Sequence, residues 1–247
     1  MTPTDEPAGG APDRGGGAPD SGDGAPGPGD GAPDSGAFAS GPDALAPGPD
    51  GLPRCFWAVG GAPEYVAYHD DEWGRPVLTD DGLFERLTLE AFQSGLSWLT
   101  IMRKRAAFRE AFAGFRIAAV AAFDDADRER LLADAGIVRN RLKVEAAIGN
   151  ARAALPVIAE HGSLAAFFWR FRPQAHKAPR SRADFVAASP ESAALAKELK
   201  RRGFRFVGPT TAYSLMQAAG IVNDHAVGCC VRAAVEAGQR AAAARFA

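Results

Sequence analysis

The first 52 residues constrain this chain most, because they hold almost nothing from which a core could be built. The run GGAPDRGGGAPDSGDGAPGPGDGAPDSG recycles Gly, Ala, Pro and Asp. Such a composition buries too little apolar surface to offset chain entropy, and it predicts a disordered tail over residues 1–52. What can fold lies beyond it. The sequence places the folded part from residue 53 onward.

Charge divides at the same point. The tail carries nine acidic groups and one arginine, a charge of −8, which leaves 27 basic and 21 acidic groups and a charge of +6 for the remainder. A basic folded part fits a polyanionic partner, although +6 also serves solubility. The acidic tail reads either as a solubilising extension or as a strand competing with that polyanion. No apolar run reaches the roughly 18 residues that span a bilayer. The N-terminus holds Asp5 and Glu6 in place of a signal segment. Three cysteines do not make a secreted disulfide framework. A reducing, cytoplasmic setting is expected, and a monomer with no obligate protein partner.

Beyond Leu52 the apolar spacing is helical. Leu83, Leu87 and Ala91 recur at i, i+4 within LFERLTLEAFQSGLSWLTIMRKRAAFREAF. DRERLLADAG closes a helix at Gly136, and RLKVEAAIGNARAAL opens another. SAALAKELKRRG closes at Gly203, and PTTAYSLMQAAG runs from Pro209 to Gly220. No sustained β alternation appears, so the expected fold is all-α.

Four groups of residues carry chemistry. His225 and Cys229, spaced i, i+4, would share one face of a helix and reach one metal ion. Cys230 would lie about 100° further round. A structural zinc site takes four N or S ligands, and Cys55 and His69 offer the other two. Such a site would staple segments 170 positions apart, from Cys55 to His225. A buried cysteine pair with a lone core histidine satisfies the same spacing. Trp57, Tyr68, Trp73 and Trp98 are four of the seven Trp and Tyr residues in the chain. They fit a hydrophobic core or a stacking pocket for a flat ligand. Glu90 falls on the stripe of Leu83 and Leu87, where a carboxylate is costly unless an internal arginine or a cationic ligand pairs with it. In RRGFRFVGPTTAYSLMQAAGIVNDH a tight glycine turn joins two helices, beside Arg201, Arg202 and Arg205. Exposed amides at the start of the second helix would bind a phosphate, although an ordinary helix–helix turn has the same pattern.

Taken together, RCFW, YVAYHDDEWG, EAFQSGLSWLTIMRKR, DAGIVRNRLKVEAAIGNA and KRRGFRFVGPTTAYSLMQAAGIVNDHAVGCC closely resemble the DNA-3-methyladenine glycosylase I family from about Arg54 to Cys230. The resemblance implies a helix-hairpin-helix glycosylase fold with one structural Zn2+ on Cys55, His69, His225 and Cys229. It implies that Glu90 and Tyr68 hydrogen-bond an extruded base, that Trp98 stacks on it, and that Trp57 and Trp73 line the same pocket. Gly95 and Leu96 become the plug that fills the gap in the duplex. Gly208, Thr210 and Arg205 become contacts to the DNA backbone. The implied partner is double-stranded DNA containing alkylated bases, and the extent of the match implies a glycosylase domain at residues 53–232 with a C-terminal extension at residues 233–247.

One departure concerns the wider superfamily. Thr210 stands where bifunctional members carry a Schiff-base lysine, and Asn223 where they carry a catalytic aspartate. The expected enzyme is therefore monofunctional, with Asp224 one position away as a possible helper. It would release 3-methyladenine by hydrolysis, clamping the cationic ring between Trp98 and an ionised Glu90. A glycosylase for another alkylated base and a non-catalytic zinc-containing DNA-binding protein are the alternatives.

Overall fold

The computed structural model describes residues 43–246. Residues 1–42 of the tail expected over residues 1–52 lie outside the described residues. Asp43–Leu52, which the composition assigns to that tail, belongs to the fold instead. β1 (Leu45–Pro47) pairs antiparallel with β2 (Pro53–Cys55), with Leu45 opposite Cys55. Ala44 is buried, and its carbonyl accepts from Phe56 N at 3.0 Å. Buried Arg54 holds the turn through Asp50, with Nη1–Oδ1 at 2.5 Å and Nη2–Oδ2 at 2.9 Å. This ribbon is ordered by a pairing partner and an arginine clamp, neither of which composition reveals.

The rest is helical. The chain continues through α1 (Pro63–Asp71), α2 (Asp80–Gln93), α3 (Trp98–Ala111), short α4 (Ile117–Ala121) and α5 (Asp125–Ala133). Long α6 (Arg141–His161), α7 (Leu164–Trp169), α8 (Pro190–Arg201), α9 (Pro209–Ala218) and α10 (Arg232–Ala243) follow. Polar side chains set most starts by accepting an orphan amide of the first turn. Ser97 accepts from Thr100 N at 3.2 Å, Asn140 from Lys143 N at 3.1 Å and Ser163 from Ala166 N at 2.9 Å.

α2 is the central element. Leu83, Phe84, Leu87, Leu89 and Phe92 are fully buried, and Arg86, Thr88, Glu90 and Gln93 are buried with them, so the helix is enclosed on most sides. It packs on α3, α6, α7 and α9. The loop after α1 is drawn against the end of α9, where Gly74 N donates to Gln217 O and Val77 N to Ala219 O, both at 3.1 Å. Gly220, at φ +71°, permits this approach, because a Cβ there would lie 2.6 Å from Gly74 O. α10 and the residues after it, read as an extension, are packed: Val235, Gln239 and Ala242 are buried, and Phe246 stacks on Trp169 at 5.6 Å.

Candidate active site and metal-ligand cluster

Six parts of the fold face one cavity. The turn after β2 supplies Trp57, α1 supplies Tyr68, the following loop Trp73, α2 Glu90 and Gln93, and α3 Trp98. α9 adds Ser214 and Gln217. All five residues expected to bind a base therefore come together. The aromatic rings form the wall: Trp57 meets Trp73 edge-on at 4.8 Å, and Tyr68 lies tilted against Trp98 at 5.3 Å. Gln93, Ser214 and Gln217 were not anticipated. Gln93 is one helical turn beyond Glu90, and Ser214 and Gln217 repeat that i, i+3 spacing on α9, a signal visible once a pocket-facing stripe is assumed.

Glu90 is 6% exposed, and no hydrogen bond or ion pair to its carboxyl is present among the described residues. Burial pushes its pKa up to about 8, against the pull of Arg86 one turn earlier. The sequence reading takes Glu90 as ionised; desolvation by burial favours its protonated form at neutral pH. Burial likewise pushes the Tyr68 hydroxyl above its usual range. Trp98 Nε1 is buried and has no hydrogen-bond partner among the described residues. The cavity thus offers aromatic faces and several unpaired polar groups, the complement of a flat heterocycle.

Behind the aromatic wall, Cys55, His69, His225 and Cys229 are all buried, with their ligand atoms within 4.8 Å of one another. The hydrogen bonds fix the histidine tautomers. His69 Nδ1 faces Asp70 Oδ1 at 2.7 Å, which turns Nε2 inward. His225 Nε2 donates to Trp73 O at 3.0 Å, which turns Nδ1 inward. The inward nitrogens lie 3.1 Å apart, with Cys229 Sγ 3.4 and 3.5 Å from them and Cys55 Sγ 3.8 Å from His225 Nδ1. Tetrahedral coordination by two nitrogens and two sulfurs needs separations of about 3.3–3.8 Å. The cluster could hold a metal ion. One expectation fails in detail: residues 221–231 form no helix. His225 and Cys229 converge through a turn in which Gly228 takes φ +90°. Cys230 is exposed, outside the cluster.

Asp224 is buried at 3% exposure between these sites. His176 Nε2 approaches its Oδ1 at 2.5 Å, while Tyr213 Oη and Gln217 Nε2 donate to its Oδ2 at 2.8 and 2.7 Å. Burial works to raise its pKa, but His176 and the other donors outweigh it and leave the carboxyl below its ordinary value. Asn223 is occupied structurally, accepting from His225 N at 3.2 Å and donating to Arg232 O at 3.3 Å. Among the described residues, no lysine lines the cavity.

Two exposed features flank it. Gly95, at φ +77°, and Leu96, 39% exposed, sit in the turn between α2 and α3. The α8–α9 turn brings Gly203, Arg205, Gly208 and the first-turn Thr210 together. Asn150 of α6, unsuspected from sequence, pins this turn, donating to Arg205 O at 3.0 Å and accepting from Arg205 N at 2.8 Å. The turn's arginines are less free than their number implies. Arg201 pairs with Glu198, Arg202 with Glu160 and Glu198, and exposed Arg205 donates to Glu145 O at 2.7 Å.

An aromatic cavity with a buried carboxyl, flanked by an exposed apolar turn and a glycine hairpin, defines a nucleobase-handling protein. Comparison with known proteins agrees. Residues 57–233 match the methyladenine glycosylase family. DNA-3-methyladenine glycosylase 1 of Escherichia coli K12 is 47% identical over 182 residues, 72% of this chain and 96% of that protein. A crystal structure of 3-methyladenine DNA glycosylase I, 46% identical, superposes with a TM-score of 0.67 over 72% of this chain and 98% of its own. A variant of 3-methyladenine DNA glycosylase I solved in complex with 3-methyladenine is 35% identical, with a TM-score of 0.66 over 69% of this chain and 93% of its own. The chain belongs to the methyladenine glycosylase family and is an N-glycosylase.

Proposed function

We propose that this enzyme flips 3-methyladenine out of alkylated double-stranded DNA and hydrolyses its N-glycosidic bond, without lyase activity. The observation that carries the reading is the unpaired Glu90 carboxyl in a cavity walled by Trp57, Trp73, Trp98 and Tyr68. A base inside a duplex is out of reach, and unstacking it costs a few kcal/mol. Insertion of Leu96 into the vacated stack offsets part of that cost. Stacking on Trp98 returns about 1–3 kcal/mol. A ring methylated at N3 is cationic, so it gains attraction to the indole face and favours the ionised form of Glu90. Neutral adenine gains neither. The cationic base is already a good leaving group, so water can attack the sugar carbon with little acid assistance. With Thr210 and Asn223 where an amine nucleophile and an aspartate would otherwise stand, no covalent intermediate is expected.

The α8–α9 turn serves as the helix-hairpin-helix element. Its Gly208 and Thr210 amides take a backbone phosphate at the start of α9, and Arg205 supplies charge. One zinc ion is assigned to Cys55, His69, His225 and Cys229. With all four positions taken by protein ligands, a bound ion would cross-link the ribbon, α1 and the loop before α10 and would supply no chemistry to the reaction. The enzyme acts as a monomer in the cytoplasm.

The direct test is base release from methylated duplex DNA, analysed by chromatography. Free 3-methyladenine with 7-methylguanine retained supports the reading. A folded, metal-loaded sample that releases no base points to a non-catalytic DNA-binding protein. Release of some other base reassigns the lesion.

A further inference from the structure

The unpaired oxygen of Gln217 carries a consequence for base selection. A glutamine amide presents a donor at one end and an acceptor at the other, and an unconstrained one can flip to suit either partner. Here one orientation is enforced. Gln217 Nε2 lies 2.7 Å from Asp224 Oδ2, an oxygen that also accepts from Tyr213 Oη at 2.8 Å. The other oxygen of Asp224 faces His176 Nε2 at 2.5 Å. Turning the amide over would set two acceptor oxygens 2.7 Å apart beside a buried carboxylate that is already aligned. The amide oxygen therefore takes the opposite direction. Among the described residues it accepts no hydrogen bond, and Gln217 lines the base cavity.

We infer that Asp224 is a positioning residue that locks Gln217 as a fixed acceptor, making the pocket select bases carrying an exocyclic amine over bases carrying a carbonyl at the same edge. This rests on the methylated-base reading of the cavity. In a 3-methyladenine nucleotide the base has no ring N–H, and its only N–H donors are on the exocyclic 6-amine. A carbonyl in that place would face the Gln217 oxygen and leave both acceptors unsatisfied. The methyl group and ring charge are read by the aromatic wall and Glu90. The purine type would be read, at least in part, through Asp224.

The test uses the full-length, metal-loaded protein and two free bases, 3-methyladenine and 3-methylhypoxanthine, which differ in having an amine or a carbonyl at C6. Binding is followed by quenching of tryptophan fluorescence. The wild type should prefer the amine. Asp224→Asn, which lets the amide turn, and Gln217→Met, which removes it, should each shrink that preference about fivefold or more. General damage to the fold would weaken both bases together and leave the ratio unchanged. Unchanged ratios in both variants overturn the inference alone. A wild type that binds neither base overturns the methylated-base reading and the inference with it. Should Asp224→Asn lose its metal or its fold, Gln217→Met decides the outcome, since it leaves Asp224 and its contact with His176 in place.

Discussion

The ammonium group of Lys143 sits 2.5 Å from the backbone carbonyl oxygen of Ser94 and 3.0 Å from that of Phe92. It joins the first turn of α6 to the last turn of α2, where the helix leaves carbonyls without amide partners. Burial lowers the Lys143 pKa, but both contacts are to acceptors that favour a cation. The next residues, Gly95 and Leu96, are the proposed plug. Lys143→Met leaves two carbonyls unpaired, at a cost of about 1–3 kcal/mol. Base release from duplex DNA should fall more than free 3-methyladenine binding, because the cavity walls stay in place. Equal losses in the two assays would mean that the bridge supports the whole fold and not the plug.

Glu90 supplies a prediction with a definite sign. Its folded-state pKa of about 8 stands above the ordinary carboxylate value. Between about pH 4.5 and 8 the folded protein binds more protons than the unfolded chain, so the stability linked to this group is present at low pH and lost as pH rises. Glu90→Gln removes that loss. Melting temperatures of the variant and the parent should lie closest near pH 5 and separate toward pH 8, with the variant gaining. Binding of a cationic base at pH 7 should also release a proton. Calorimetry in buffers of different ionisation enthalpy would show it, and a buffer-independent heat would contradict the assignment.

The helical frame was legible from Leu83 onward because glycine and proline mark helix ends and the apolar spacing is regular. Glu90 was legible for the same reason, since a carboxylate on an apolar stripe is conspicuous. His225 and Cys229 are legible as a pair of candidate metal ligands, but through an incorrect local geometry, and the full set of four rests on the family resemblance. An i, i+4 spacing reads as a helix face, whereas the cluster is built by a turn whose shape depends on Gly228 at φ +90°. The Asp43–Leu52 ribbon was missed because the pairing of β1 with β2 and the Arg54–Asp50 clamp are tertiary facts. Asn150 and Gln217 escaped for a related reason. Each is a polar residue on a helix, and nothing local says that one will pin the hairpin at Arg205 while the other faces the cavity.

The segment after Val231 is expected to matter for stability. α10 lies almost wholly beyond the matched family region, which ends at residue 233. It nevertheless buries Val235 and Ala242 and is followed by Phe246 on Trp169. Burying one such aliphatic side chain contributes about 1.5–3 kcal/mol. Truncation after residue 232 should lower the unfolding midpoint in urea by at least about one such increment. A truncated protein as stable as the parent would show that α10 is a passive appendage.

The contact between Asp70 and His69 should tune metal affinity without supplying a ligand. Asp70 Oδ1 accepts from His69 Nδ1 at 2.7 Å, and Arg54 holds the same carboxylate through Nε at 3.0 Å and Nη2 at 2.7 Å. A histidine that donates to a carboxylate presents a more basic, better oriented Nε2 to a metal, and removing such a partner typically costs about 10–100-fold in affinity. Asp70→Asn retains an oxygen for His69 but removes the charge. It should therefore fold, bind one metal ion per chain and release it to a chromophoric chelator at lower chelator concentration. Cys229→Ala removes a ligand, and should lose both the ion and much of the stability. If the two variants behave alike, the carboxylate is part of the structural clamp with Arg54. If Asp70→Asn matches the wild type, the orientation of His69 is set by packing against Trp57 and Trp73, whose rings lie 5.3 and 6.4 Å away.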